Sequence, residues 1–222
     1  MADKGNYIVF LDLDKTILGV NTGYALIRQA VSERAIGPVG MIKAIFYTTL
    51  YKLKLLSPAR FIPLMGGWLK GMDQSFLLRL SESANSNYLA DAVFPGALAE
   101  IDFHKGQNAE TAILSSAISE ICTPLAASLG IDHVICTEME TTGGKLTGLT
   151  KGKYCYGDEK ASRISAFCLE KGFNAESAWY YADSYSDISA LEAVGNPVCV
   201  NPDSALRRMA NTYGWPVKDW KL

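Results

Sequence analysis

Residues 7–13, YIVFLDL, constrain this chain more than any other segment. The run is apolar without polar alternation, which suits a strand buried on both faces, as in a parallel sheet covered by helices. It ends in a polar cluster of Asp12, Asp14 and Thr16. Open α/β sheets place ligands in the crevice at the carboxyl ends of such strands.

Further along the chain the pattern alternates. Short apolar runs at 111–114 (TAIL), 133–137 (HVICT), 178–182 (AWYYA) and 197–200 suit strands. Helical stretches at 97–105, 118–129, 160–171, 188–194 and 204–212 separate them, and Gly106, Gly130 and Gly172 stand where helices end. Residues 141–149 (TTGGKLTGL) read as a hairpin turning at Gly143-Gly144. Between 21 and 87 the texture is helical, broken at Gly37-Pro38, Ser57-Pro58, Pro63 and Gly66-Gly67. The expected architecture is an α/β, doubly wound, Rossmann-like parallel sheet (1–20 and 88–222) with a helical cap (21–87) inserted after the first strand.

Composition narrows the class. Hydrophobic residues make up 49% and charged residues 20% of 222, which argues against intrinsic disorder. A net charge of −2 gives no global field toward nucleic acid. No apolar run reaches the length of a membrane span, and the polar start is unlike a signal peptide, so a cytoplasmic protein is expected. Cys122, Cys136, Cys155, Cys168 and Cys199 are scattered and odd in number, which suits buried thiols rather than disulfides or a zinc cage. Neither His104 nor His133 has a partner in sequence that suggests chemistry, and His104 reads as a cation at a helix C-terminus. Residues 21–87 hold eight cations against three carboxylates, so a basic lid faces an acidic floor and favours an anionic substrate.

Asp12 and Asp14 stand two apart at a strand end, so both can face one side. Two such carboxylates suit a hard divalent cation; one can also act as nucleophile and the other as general acid and base. FLDLDKT resembles the first motif of the haloacid dehalogenase superfamily. AILSS (112–116) resembles the second motif, Lys160 in GDEK the third and YYADSYSD (180–187) the fourth. The position of the insertion, together with GGKLTG and VGNPVCVNPDSALRRMANTYGWPV, is similar to the phosphoserine-phosphatase-like branch, some of whose members act on lipid or polyol phosphates.

That resemblance implies a Mg2+-dependent phosphatase acting on a small phosphate monoester through an aspartyl-phosphate on Asp12. Asp14 is then the general acid and base, and also offers its carbonyl to the metal. Ser115, Ser116, Thr16 and Lys160 hold the phosphoryl group, and Arg60 is a candidate for a substrate carboxylate. Asp12, Asp14, Asp183 and Asp187 form the metal set, with Asp187 orienting a metal water or Lys160. Asn21 replaces a glutamate usual in phosphoserine phosphatases, and Ser116-Ala117 replaces their paired glycines. Phosphoserine is therefore one alternative substrate. A phosphatidylglycerophosphate-like lipid is another, suggested by the uncharged cap segments 44–51 and 61–69, which imply peripheral membrane contact. A non-catalytic phosphate-binding protein is the alternative from outside the enzymes. The sequence assigns no oligomeric state.

Overall fold

The computed structural model describes residues 7–37, 39, 40, 42, 43, 46, 47, 50, 55, 56, 64 and 66–222. β1 (Ile8–Leu11) is the fully buried strand that the apolar run predicts. It lies inside a six-stranded sheet of order β3-β2-β1-β6-β7-β8, in which every neighbouring pair is parallel. The other strands are β2 (Glu110–Ile118), β3 (His133–Thr137), β6 (Trp179–Ala182), β7 (Asn196–Val200) and β8 (Val217–Lys218). The chain winds outward on one side of β1 through β2 and β3, then returns to the other side through β6. This reversal puts the crevice at the carboxyl end of β1.

Helices cover both faces, because successive strand residues point to opposite sides. Val9, Leu11, Ile113 and Tyr181 pack with side chains of α1 (Thr22–Ser32), α2 (Gln74–Ala84), α3 (Pro95–Lys105) and α4 (Ser119–Leu129). Ile8, Phe10, Leu114 and Tyr180 pack against α5 (Asp158–Lys171), α6 (Ile188–Glu192) and α7 (Ser204–Tyr213). The fold is the doubly wound α/β architecture expected from the sequence.

Between β1 and α3 the named elements among the described residues are α1, α2, a π turn (Asn85–Leu89) and a 3-10 turn (Ala90–Ala92), and none belongs to the main sheet. Two connecting segments run side by side at its root. The Gly19 amide donates to the Ala92 carbonyl at 2.7 Å, and the Phe94 amide to that of Ile17 at 2.9 Å. The foot of α2 is held by a hairpin of β4 (Met139–Thr142) and β5 (Lys145–Thr150). Gly71 and Leu146 amides donate to the carbonyls of Leu146 and Met72 at 2.8 and 2.9 Å. Gly143 and Gly144 have φ of 58° and 78°, the left-handed pair that a tight hairpin turn requires.

Three features differ from the sequence expectation. β2 runs on through Ser115 and Ser116, because its pairing with β3 resumes at Ile118 after an irregularity. The two-residue edge strand β8 was not foreseen. His104 is not a helix-end cation. It is 1% exposed, and burial lowers its pKa. All five cysteines are free and buried, as expected. Trp220 is a packing anchor against Phe94 and Tyr181, and any side chain at Gly96 would meet its ring. Among the described residues, no helix is long and apolar enough to cross a membrane.

Candidate active site

The acids at the ends of β1 and β6 meet because these strands are hydrogen-bonded neighbours: the Asp12 amide donates to the Tyr181 carbonyl at 2.9 Å. Beyond Asp12 the chain folds back sharply, with the Ile17 and Leu18 amides donating to the carbonyls of Asp12 and Leu13 at 3.3 and 2.9 Å. Lys15 adopts φ 66° in this turn, a strained left-handed conformation for a side-chain-bearing residue.

Lys160 sits in the first turn of α5. Gly157, with φ 58°, lets the chain enter that helix, and Asp158 and Glu159 suit its N-terminus. Its ammonium is 2.8 Å from Asp12 Oδ1, 2.8 Å from Asp187 Oδ2 and 3.0 Å from the Tyr180 hydroxyl. Lys160, Asp187 and Tyr180 are each at most 2% exposed, and Asp12 only 6%. Burial alone would lower the Lys160 pKa, but Asp12 and Asp187 hold it well above its ordinary value, so it stays cationic.

The carboxylates outnumber that cation. Burial, with Asp187 nearby and Lys160 opposing, pushes Asp12 up to about 7. Burial and the charges of Asp12 and Asp187 push Asp183 up to about 8. Burial also raises Asp14. The Asp14 carboxylate accepts from the Thr22 amide at 2.8 Å and from the Asn21 side chain. Asn21 in turn caps α1 by accepting from the Tyr24 amide at 3.0 Å. Its polar atoms therefore tie the cap helix to Asp14 rather than waiting for a ligand.

Ser115 is 1% exposed, and its hydroxyl accepts from the Ala117 amide at 3.2 Å, inside the irregular part of β2. The Ser116 carbonyl accepts from the Thr137 hydroxyl at 3.0 Å, which fixes the same loop. Thr16 is fully enclosed, and its hydroxyl has no hydrogen-bond partner among the described residues; in this arrangement it is not open to a ligand. Arg60 lies outside the described residues, as does most of the apolar stretch 44–51.

The donor set can be tested against a divalent cation. Two desolvated carboxylates, Asp12 and Asp183, the second raised further by the charge of the first, are what such an ion relieves. Among the described residues, no group of three or more His, Cys, Asp or Glu side chains stands at metal-holding spacing. The side chains of Asp14 and Asp187 are engaged elsewhere, by Thr22 and Asn21 and by Lys160 and Tyr180. The carboxylates of Asp12 and Asp183 are the two left to meet a hard cation. Asp187 fits its expected second task, orienting Lys160.

Two residues of this site were missed in the sequence. Tyr180 donates to Asp187 at 2.9 Å and braces Lys160. In sequence it looks like one more aromatic in a buried strand. Asp203 caps α7 through the Ala205 and Leu206 amides. It also accepts from the Tyr185 amide at 3.0 Å, while its own amide donates to the Asp183 carbonyl at 2.8 Å. Its pKa is lowered because these hydrogen bonds outweigh its burial. The signal was the Pro202-Asp203-Ser204 helix start.

This fold gathers a cluster of acids around one lysine at the carboxyl edge of a parallel sheet, the arrangement of a hydrolase. The chain belongs to the haloacid dehalogenase-like hydrolase family, whose model matches residues 9–192. A probable phosphatase of Mycobacterium tuberculosis is 32% identical over 97% of this chain and 76% of that protein. A histidinol-phosphatase of Neisseria meningitidis is 27% identical over 96% of this chain and 99% of that protein. A solved Bordetella pertussis protein of unknown function superposes with a TM-score of 0.87 at 24% identity, covering 97% of this chain and 99% of that one. A phosphoserine phosphatase structure shares the fold with a TM-score of 0.73 at 17% identity, covering 98% and 96%.

Proposed function

We propose that this protein is a Mg2+-dependent phosphatase that cleaves small phosphate monoesters through an aspartyl-phosphate on Asp12. The observation that carries the reading is the bridge from Lys160 to Asp12 and Asp187, each at 2.8 Å, beside an Asp14 carboxylate held by the cap helix. The division of labour follows from the wiring. Lys160 holds Oδ1 of Asp12, so the other carboxylate oxygen is the one free to attack phosphorus. As the P–O bond to the alcohol breaks, Asp14 gives that oxygen its proton; the raised pKa suits a group that must carry one near neutrality. Asp14 then takes a proton from water as that water attacks the acyl phosphate, releasing inorganic phosphate and regenerating Asp12. Ser115 hydrogen-bonds a phosphoryl oxygen, and Lys160 offsets charge as it builds there. Asp12 and Asp183 would hold Mg2+, which would supply the positive charge that lets a phosphate dianion approach these carboxylates.

Residues 21–87 act as a cap over a core of 1–20 and 88–222, and tie to catalysis through Asn21 and Thr22. Serine phosphate and histidinol phosphate head the candidate substrates, because relatives carry those activities in their names. The test is phosphate release from a panel of sugar, polyol, nucleoside, amino-acid and amino-alcohol monoesters, with Mg2+ and with EDTA. Mg2+-dependent release that disappears in Asp12→Asn is expected. Release that survives Asp12→Asn would remove Asp12 as the nucleophile, and no release from folded, Mg2+-loaded protein would favour a binding role.

A further inference from the structure

We propose that the exposed cap face carrying Val39, Ile42, Lys43 and Phe46, within the segment 34–72, docks this protein onto an anionic lipid bilayer, an activity separate from ester hydrolysis. Two independent observations meet in that segment. The first is charge. From Arg34 to Met72 there are six cations, Arg34, Lys43, Lys52, Lys54, Arg60 and Lys70, and no aspartate or glutamate. With a net charge of −2 for the whole chain, the remainder carries −8.

The second observation is exposure. Described residues between Val39 and Leu50 are helical. On a helix, positions 39, 42, 43 and 46 fall within an arc of about 100°. Val39, Ile42 and Phe46 are 67%, 63% and 56% exposed on that arc, and Lys43 is exposed beside them. Leu55 and Leu64 add two more exposed apolar side chains to the same segment. Single exposed apolar residues are ordinary on a protein surface, but a row of them on one helix face points to an interaction surface.

The charge selects the partner. A second copy of this chain would bring a segment of the same +6 charge, with no carboxylate in it. An anionic bilayer provides the missing counter-charge at its headgroups and takes the apolar row at the acyl boundary just beneath. Lys43 on the apolar arc can extend its stem along that boundary while its ammonium stays at headgroup level.

Co-sedimentation tests this directly, with phosphatidylcholine vesicles made with and without about one third phosphatidylglycerol. The protein is expected to pellet with the anionic vesicles and about tenfold less with the neutral ones. Salt near 0.5 M should weaken this binding. The Val39→Ser/Ile42→Ser/Phe46→Ser variant should stay in the supernatant while keeping its melting temperature and its hydrolysis of a soluble ester. If that variant does not fold, Lys43→Glu serves, with an expected severalfold loss of binding. Wild-type protein that ignores anionic vesicles at low salt would overturn the proposal, as would equal pelleting of the variants. So would a concentration-dependent dimer that these substitutions dissolve, since the face would then belong to a second copy.

Discussion

Tyr180 and Tyr181 are neighbours on β6, yet their hydroxyls end in two buried polar networks on opposite faces of the sheet. Tyr181 closes a balanced one. Directions follow from the donors available: the Tyr7 hydroxyl donates to His104 Nδ1 at 2.9 Å, and His104 Nε2 donates to the Tyr181 hydroxyl at 2.8 Å. Tyr181 then donates to Glu100 at 2.8 Å, and Lys218 donates to the other Glu100 oxygen. A neutral imidazole satisfies every member. Glu100 is lowered, its bonds from Lys218 and Tyr181 outweighing its burial. Tyr180 serves an unbalanced network instead, one lysine among Asp12, Asp183 and Asp187, with Asp12 and Asp183 raised to about 7 and 8. The balanced network stabilises the fold. The unbalanced one holds a surplus of buried carboxylates that a further cation would offset, and this is the mark of a working site.

The two networks should break differently. Lys160→Ala should cost about 10²–10³-fold in kcat, because it removes the donor that faces the nucleophile. It should also lower the melting temperature of metal-free protein, since it leaves carboxylates buried without their counter-ion. Tyr180→Phe should cost about 10-fold in kcat with little change in KM, as expected for a residue that positions Lys160. Unchanged kcat in that variant would reduce Tyr180 to packing. Tyr181→Phe should do the reverse, lowering stability by about 1–2 kcal/mol in a denaturant titration with turnover intact.

The smallest expected effect is a difference in pH slopes. His104 is depressed in the folded state, so its contribution is present above its unfolded pKa of about 6.5 and is lost as pH falls below it. Asp12 and Asp183 are raised, so the folded state holds their protons longer; that contribution is lost as pH rises through about 7 and 8. The two raised carboxylates outweigh the one histidine, so through these groups metal-free protein should lose stability as pH rises from about 5 to about 8. Mg2+ should raise the melting temperature more at pH 8 than at pH 6, and an equal shift at both would argue against the shared carboxylate site.

Much of this was legible in the sequence for a physical reason. The buried strand of residues 7–13 and the acids at strand ends are local patterns, and the parallel order follows from alternating strands and helices. Asp12, Asp14, Lys160, Asp183 and Asp187 could be named because the motifs that carry the resemblance stand near strand or helix ends; Ser115 was named at the end of its apolar run, although β2 continues through it. Tyr180 could not be named, because apolar packing and a buried hydroxyl bond read alike as an aromatic in a strand. His104 was misread because helix position is local, whereas its partners Tyr7 and Tyr181 come from two different strands. The engagement of Asn21 by Asp14 depends on the turn after β1, which strand-level reading does not resolve.

The most direct test of the central claim is to trap the intermediate. Wild-type protein mixed with Mg2+ and its best monoester, quenched in acid and digested, should yield the peptide containing Asp12 heavier by one phosphoryl group, with the label released by hydroxylamine. Turnover of the same ester with the label on another residue, or with none accumulating even when Asp14→Asn slows dephosphorylation, would contradict Asp12 as the nucleophile.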